Sequence, residues 1–153
     1  RFNNPAKHNA LSLDMWEAVP PLLAKAASDD GVRMVVFSGE GGKSFVSGAD
    51  ISQFEDLRAA KEAVKKYEVI AEEALQGILH FDKPTIACIR GYCIGGGVNV
   101  AISCDIRIAS NDSTFAIPAT RLGLTAMQVF KVPVNKFGTG AMETTKRISE
   151  IVV

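Results

Sequence analysis

Gly91-Tyr92-Cys93-Ile94-Gly95-Gly96-Gly97-Val98-Asn99 follows a short β-branched run at 85–89 and precedes an apolar, helix-compatible run at 98–103. A strand that ends in consecutive glycines and then opens a helix leaves backbone N–H groups bare and without intrahelical acceptors. The helix dipole adds positive potential at the same spot. Proteins use that device to hold an oxygen that carries or gains negative charge. The stretch marks a candidate site, and the rest of the chain has to say which anion it serves.

Outward from this stretch, helical and extended patterns alternate. Ser12 is an N-cap candidate for a helix running to about residue 27, with Leu13, Trp16, Val19, Leu22 and Leu23 on its apolar side. Pro20-Pro21 is expected to kink or interrupt it. Residues 32–37 read as an apolar strand, 38–43 as a glycine-rich loop, 44–46 as extended chain, and Gly48-Ala49-Asp50 as the start of a second helix. Over 57–79 apolar residues, Tyr67 among them, recur every three or four positions, which predicts one long amphipathic helix. Residues 85–89, 106–109 and 114–117 read as short strands. The alternation predicts an α/β domain. The residues show no linker, internal repeat or low-complexity segment. Further on, 141–148 reads as a helix and 151–153 as a strand that stops in mid-element.

The chain has 153 residues, zero formal net charge and 47% hydrophobic residues, enough for one domain over 1–153 with a real core. Zero net charge argues against nucleic acid or an anionic membrane as partner, since both demand a basic surface. No apolar run approaches the ~20 residues that span a bilayer. Cys88, Cys93 and Cys104 all lie in apolar segments, which predicts reduced, buried thiols and a cytoplasmic compartment. Their spacings, and the distance between His8 and His80, predict no metal site.

Three glycine readings compete. Gly42-Lys43-Ser44 follows a strand as in a nucleotide P-loop, but the required earlier glycine is replaced by Phe37, and Phe45-Val46-Ser47 does not read as a helix. Gly95-x-Gly97 opens a dinucleotide fingerprint whose third glycine position holds Val100. The third reading joins two places. Gly48-Ala49-Asp50 and Gly95-Gly96-Gly97 each supply a helix-start N–H, and two such donors converging on one oxygen form an oxyanion hole. Tight strand-to-helix turns alone would also explain both glycine runs.

The order and spacing of several motifs bear on that choice. Asn4-Pro5 with Asn9-Ala10-Leu11, Phe45-Val46-Ser47-Gly48-Ala49-Asp50-Ile51, the glycine stretch itself, Cys104-Asp105-Ile106-Arg107-Ile108-Ala109, Phe115-Ala116-Ile117-Pro118 and Leu122-Gly123-Leu124 together resemble the enoyl-CoA hydratase/isomerase (crotonase) family. The resemblance covers about residues 3–124. It implies a crotonase-like spiral of ββα repeats that binds an acyl-CoA thioester, with the thioester as substrate and no further cofactor. Against the family's length, the chain is expected to lack part of the N-terminal strand and most of the C-terminal helical region. The backbone N–H groups of Ala49 and Gly96 would polarise the thioester carbonyl. Ala10, Ser47 and Ile51 would line the adenine end, and Lys7 would lie near the CoA phosphates. Asp50 is expected to cap the helix that starts there, and His8 to be a solvated turn residue. A homotrimer or dimer of trimers is implied through the family alone.

Two positions depart from the pattern. Hydratases of this family carry two glutamates that share the proton traffic of water addition. Those positions hold Asn99 and Ala119, and no Asp or Glu stands between Asp112 and Glu143. An amide positions a water but does not shuttle its proton at neutral pH. Buried-looking Cys93 and Cys104 are no substitute, and Arg121 is a pocket-lining or surface cation. The resemblance thus implies a lyase- or isomerase-like acyl-CoA enzyme with an oxyanion hole, for which classical two-glutamate hydration is not expected. The alternatives are a non-catalytic acyl-CoA-binding relative and, remotely, a P-loop nucleotide-binding domain.

Overall fold

The computed structural model describes residues 1–54 and 60–117. Its elements in order are α1 (Leu13–Ser28), β1 (Val35–Ser38), β2 (Ser44–Val46), α2 (Ala60–Leu79), β3 (Thr85–Ile89), β4 (Tyr92–Ile94), α3 (Gly96–Ser103), β5 (Ile106–Ala109) and β6 (Thr114–Ala116), with 3₁₀ turns at Pro5–Lys7 and Ile51–Phe54. The odd-numbered strands form one parallel sheet in the order β1-β3-β5, and the even-numbered strands form another in the order β2-β4-β6. Each turn of the spiral therefore adds one strand to each sheet and then a helix, as in β1-β2-α2 and β3-β4-α3. The N-terminal segment joins both sheets by single parallel bridges, Phe2 to Gly39 and Leu11 to Ala49, before α1. It acts as an abbreviated first turn.

The architecture is a repeat that the residues do not announce. Val35 faces Thr85, 50 residues on, whereas Ile86 faces Ile106, 20 residues on. No fixed sequence period survives such unequal connections. The crotonase-like spiral of ββα repeats is what the structure has, and it repeats in space without an internal repeat in the sequence.

Along β3, Thr85, Ala87 and Ile89 are buried while Cys88 is exposed, and on β5 Arg107 and Ala109 are buried while Ile106 is open. That is the period-two alternation of a strand. It corrects the expectation for Cys88, whose place in an apolar run puts it on the outer face; Cys93 and Cys104 are buried as expected. Strand β1 begins at Val35, not at 32, because the Val32 N–H closes a turn onto Asp29 O at 3.0 Å and Val35 N–H is the group that reaches Pro84 O at 2.9 Å. Strand β4, three residues inside the glycine stretch, is not among the expected strands.

Helix α1 starts where Ser12 Oγ accepts the Met15 N–H at 3.3 Å, and it runs through Pro20 and Pro21 without interruption. Burial of Trp16, Val19 and Leu23 on one stripe outweighs the two missing donors. Leu22 lies outside that stripe and is 63% exposed. No described helix is long and apolar enough to cross a membrane. The expected elements at 141–148 and 151–153 lie outside the described residues.

Two polar ties fix the β3-β5 side of the core. Asp105 Oδ2 accepts from Thr85 N and Oγ1 at 2.9 and 2.8 Å, and Thr85 Oγ1 in turn accepts the Asp105 N–H at 2.9 Å. Buried Arg107 donates to Ala101 O and Cys104 O at 3.2 and 2.7 Å, satisfying carbonyls at the end of α3.

Candidate functional site

Strands β2 and β4 are neighbours and end side by side. Beyond β2, Leu11 N–H donates to Gly48 O at 2.7 Å and Leu11 O accepts the Asp50 N–H at 2.9 Å. In a parallel bridge of this kind the residue between those two partners, Ala49, points its own N–H and C=O away. Ala49 is exposed, and among the described residues its N–H meets no acceptor.

Asp50 is buried and does act as a cap, though over a 3₁₀ turn at Ile51–Phe54 instead of an immediate α-helix. Its carboxylate accepts from Ser52 N–H at 3.3 Å and from Ser52 Oγ at 2.7 Å. Lys7 Nζ lies 2.8 and 3.1 Å from the two carboxylate oxygens and 2.6 Å from Ser52 Oγ. The Lys7 hydrogen bond, then that of Ser52, holds the Asp50 carboxyl below the usual carboxylate range. Lys7 thus does not stand free beside the turn; it is the counter-ion of Asp50.

Beyond β4, Gly95 takes φ +52° and donates its N–H to Ala116 O at 2.9 Å, while its carbonyl accepts from Val98 N–H and Asn99 N–H at 3.0 and 3.3 Å. Helix α3 starts at Gly96, so the Gly96 and Gly97 N–H groups have no intrahelical acceptor. Gly97 is a packing requirement, because a Cβ there would lie 2.5 Å from Val46 O. The two turns touch: a Cβ on Gly95 would lie 3.7 Å from Gly48 Cα. Gly48 and Gly95 immediately precede Ala49 and Gly96, which were predicted from separate motifs.

Asn99 sits one turn into α3, and its Oδ1 is buried with no hydrogen-bond partner among the described residues. A buried acceptor left unmade costs about 1–3 kcal/mol and calls for an explanation. Ala119, its expected counterpart, and Arg121 lie outside the described residues. Cys93 is pushed up to about 12 by burial, then by the neighbouring Cys104, which removes it as a nucleophile.

The residues expected at the adenine end cluster beside the first turn. Ser47 Oγ and Ala10 N–H both donate to Lys7 O, at 3.1 and 3.0 Å. Ala10 is buried, whereas Ile51 is 76% exposed. His8 is exposed, with Nδ1 at 3.2 Å from Ser44 Oγ and its ring edge-on to Tyr92. Ser44 opens β2, so the stretch 39–44 leads into a strand and cannot be the strand-loop-helix cradle of a P-loop.

Sequence reading missed two supports. Asn9, fully buried at φ +56°, accepts the Asn4 N–H and donates to Glu40 O and Ser44 O, which staples the N-terminal turn to β2. Tyr67, counted only as an apolar position on α2, donates to Leu11 O at 3.1 Å. An asparagine in a turn-rich segment is a local cue for the first. Nothing local points to the second.

A profile described as Enoyl-CoA hydratase/isomerase matches residues 1–148. The chain belongs to the enoyl-CoA hydratase/isomerase family. It is 35% identical over 124 residues to the short-chain-enoyl-CoA hydratase of Clostridium acetobutylicum, covering 81% of this chain and 47% of that protein. It is 33% identical over 123 residues to the carboxymethylproline synthase of Pectobacterium carotovorum, covering 80% and 49%. The crystal structure of an enoyl-CoA hydratase/carnithine racemase from Magnetospirillum magneticum superposes with a TM-score of 0.81 at 31% identity, over 99% of this chain and 62% of that one. The chain spans about half the length of the curated relatives it matches. Family membership supports the crotonase-like fold and an acyl-CoA setting.

Proposed function

We propose that this chain binds an acyl-CoA thioester where β2 and β4 end, and that the Ala49 and Gly96 N–H groups polarise its carbonyl and hold the enolate formed from it. The observation that carries this reading is a pair of backbone donors, without acceptors among the described residues, on two turns that lie close together. Donors fixed in advance around a developing oxyanion typically contribute about 10²–10³ in rate each. The exposed apolar surface of Ile51, with Ser47, Ala10 and the half-exposed Lys7 beside it, supports a place for the adenine end and its phosphates.

Acid–base chemistry separates the proposed reaction from two-carboxylate hydration. Each missing general acid or base removes about 10²–10⁴ in rate. Asn99, with its unpartnered Oδ1, is proposed to orient the substrate or a water, and Ala119 contributes no proton. The variety of relatives, which include a carboxymethylproline synthase, supports a family frame in which the reaction changes while the thioester site stays.

The experiment is ¹³C spectroscopy of bound butyryl-CoA labelled at the thioester carbonyl, alongside crotonyl-CoA turnover. The bound carbonyl signal is expected to move downfield, and to move back in Ala49→Pro, which deletes one donor. Crotonyl-CoA hydration is expected to be negligible, and to rise in Asn99→Glu with Ala119→Glu. Efficient hydration by the unaltered chain would refute the reading of Asn99 and Ala119. Tight binding without turnover of any enoyl-CoA selects the non-catalytic relative.

A further inference from the structure

Ala49 belongs to no strand and is tied to the sheet through one bridge to Leu11. A donor so placed stabilises charge only if something fixes its direction before the substrate arrives. The Leu11 carbonyl does more than pair with Asp50. It accepts two hydrogen bonds, from Asp50 N–H at 2.9 Å and from Tyr67 Oη at 3.1 Å. Tyr67 Oη accepts from Trp16 Nε1 at 2.6 Å, with the two rings edge to face at 6.4 Å. Trp16 comes from α1 and Tyr67 from α2, so α2 reaches the Leu11 carbonyl directly and α1 reaches it through the Tyr67 hydroxyl.

The same residues floor the second turn. A Cβ on Gly96 would lie 3.6 Å from Leu11 Cδ1 and 3.6 Å from Trp16 Cζ2. Leu11 is fully buried and Trp16 nearly so. Leu11 therefore touches both halves, the first through its backbone and the second through its side chain, while Trp16 packs under the second and hydrogen-bonds toward the first.

We propose that Tyr67 is a positioning residue of the thioester site: its hydroxyl, locked by Trp16, holds the Leu11 carbonyl and so aims the Ala49 N–H relative to the Gly96 N–H. This rests on the oxyanion-hole reading above. Burial pushes the Tyr67 hydroxyl up to about 12, so it stays a neutral donor over any working pH. A misplacement of about 1 Å at such a site costs about 10²-fold in rate.

The test is Tyr67→Phe in the full chain, read by the ¹³C signal of bound, carbonyl-labelled butyryl-CoA. The variant is expected to bind butyryl-CoA but to lose most of the downfield displacement. On any thioester the chain turns over, kcat is expected to fall about 10- to 100-fold with KM little changed. Trp16→Phe keeps the tyrosine but removes the N–H that orients it. It should show a smaller loss in the same direction, which keeps the test open if Tyr67→Phe does not fold. Val19→Ala, on the buried stripe of α1, serves as a control that lowers stability and leaves the carbonyl signal in place. Full displacement in both Tyr67→Phe and Trp16→Phe overturns the proposal while the oxyanion hole stands. No displacement in the unaltered chain removes the oxyanion hole, and this proposal with it.

Discussion

After β2 the chain turns through Gly48, Ala49 and Asp50, and distant segments reach in to hold it. Leu11 brackets it with two backbone bonds, Lys7 pairs with Asp50, and Tyr67 steadies Leu11 from α2. After β4 the chain turns through Gly95, Gly96 and Gly97, and what holds that turn is the lack of side chains. Val46 O would lie 2.5 Å from a Cβ on Gly97, and Gly95 takes φ +52° beside Gly48. A backbone donor can be aimed by polar ties from elsewhere or by stripping away Cβ atoms until rigid elements touch. This site uses one device on each side. The first side is tunable by single side chains, and the second has no room for one at Gly97.

Alkaline pH strains both sides and separates them. Cys93, in β4, is raised from 9.0 to about 12 by burial, and Tyr67, beneath the first turn, from 10.0 to about 12. Both groups are folded in their neutral forms with raised pKa values. The stability they contribute is complete below their ordinary values and is lost as pH rises through about 12. Urea midpoints measured from about pH 8 upward should begin to fall near 9. Cys93→Ala should delay that onset toward 10, and Tyr67→Phe should leave it where it is. An onset unmoved by Cys93→Ala breaks the assignment.

The glycine side predicts opposite outcomes at adjacent residues. Gly97→Ala drives a methyl group onto Val46 O and should cost about 1–3 kcal/mol with loss of butyryl-CoA binding. Gly96→Ala meets Leu11 and Trp16 at ordinary contact distance and should change stability by less than about 0.5 kcal/mol. Equal urea midpoints for the two variants would mean that Val46 O does not set the limit at Gly97. On the polar side a small effect is also expected. Lys7→Met removes an ion pair whose lysine is half-exposed, and should cost about 0–1 kcal/mol, less at high salt.

The parts of this site that local chemistry dictates were legible in the sequence. The glycine triplet, the Gly48-Ala49-Asp50 turn and the cap at Asp50 are each marked by residue types that stand within a few positions of one another. Helix α1 was legible in its stripe of Trp16, Val19 and Leu23 but not in its passage through Pro20 and Pro21, because tertiary burial overrode a local penalty. The pairing of Lys7 with Asp50 was not legible, since the partner stands 43 residues away. Tyr67 read as one more apolar position on α2, because a hydroxyl's partner 56 residues away leaves no mark on helical periodicity.

The unequal connections of the spiral also bear on the order in which contacts form. Closing the 20-residue connection between Ile86 and Ile106 costs about 0.8 kcal/mol less in chain entropy than closing the 50 residues between Val35 and Thr85. The glycine turn after β4 lies inside the short connection, whereas the turn that carries Ala49 lies inside the long one. Loop entropy thus favours an assembly route in which the side-chain-free half of the site is in place first and the hydrogen-bonded half closes onto it.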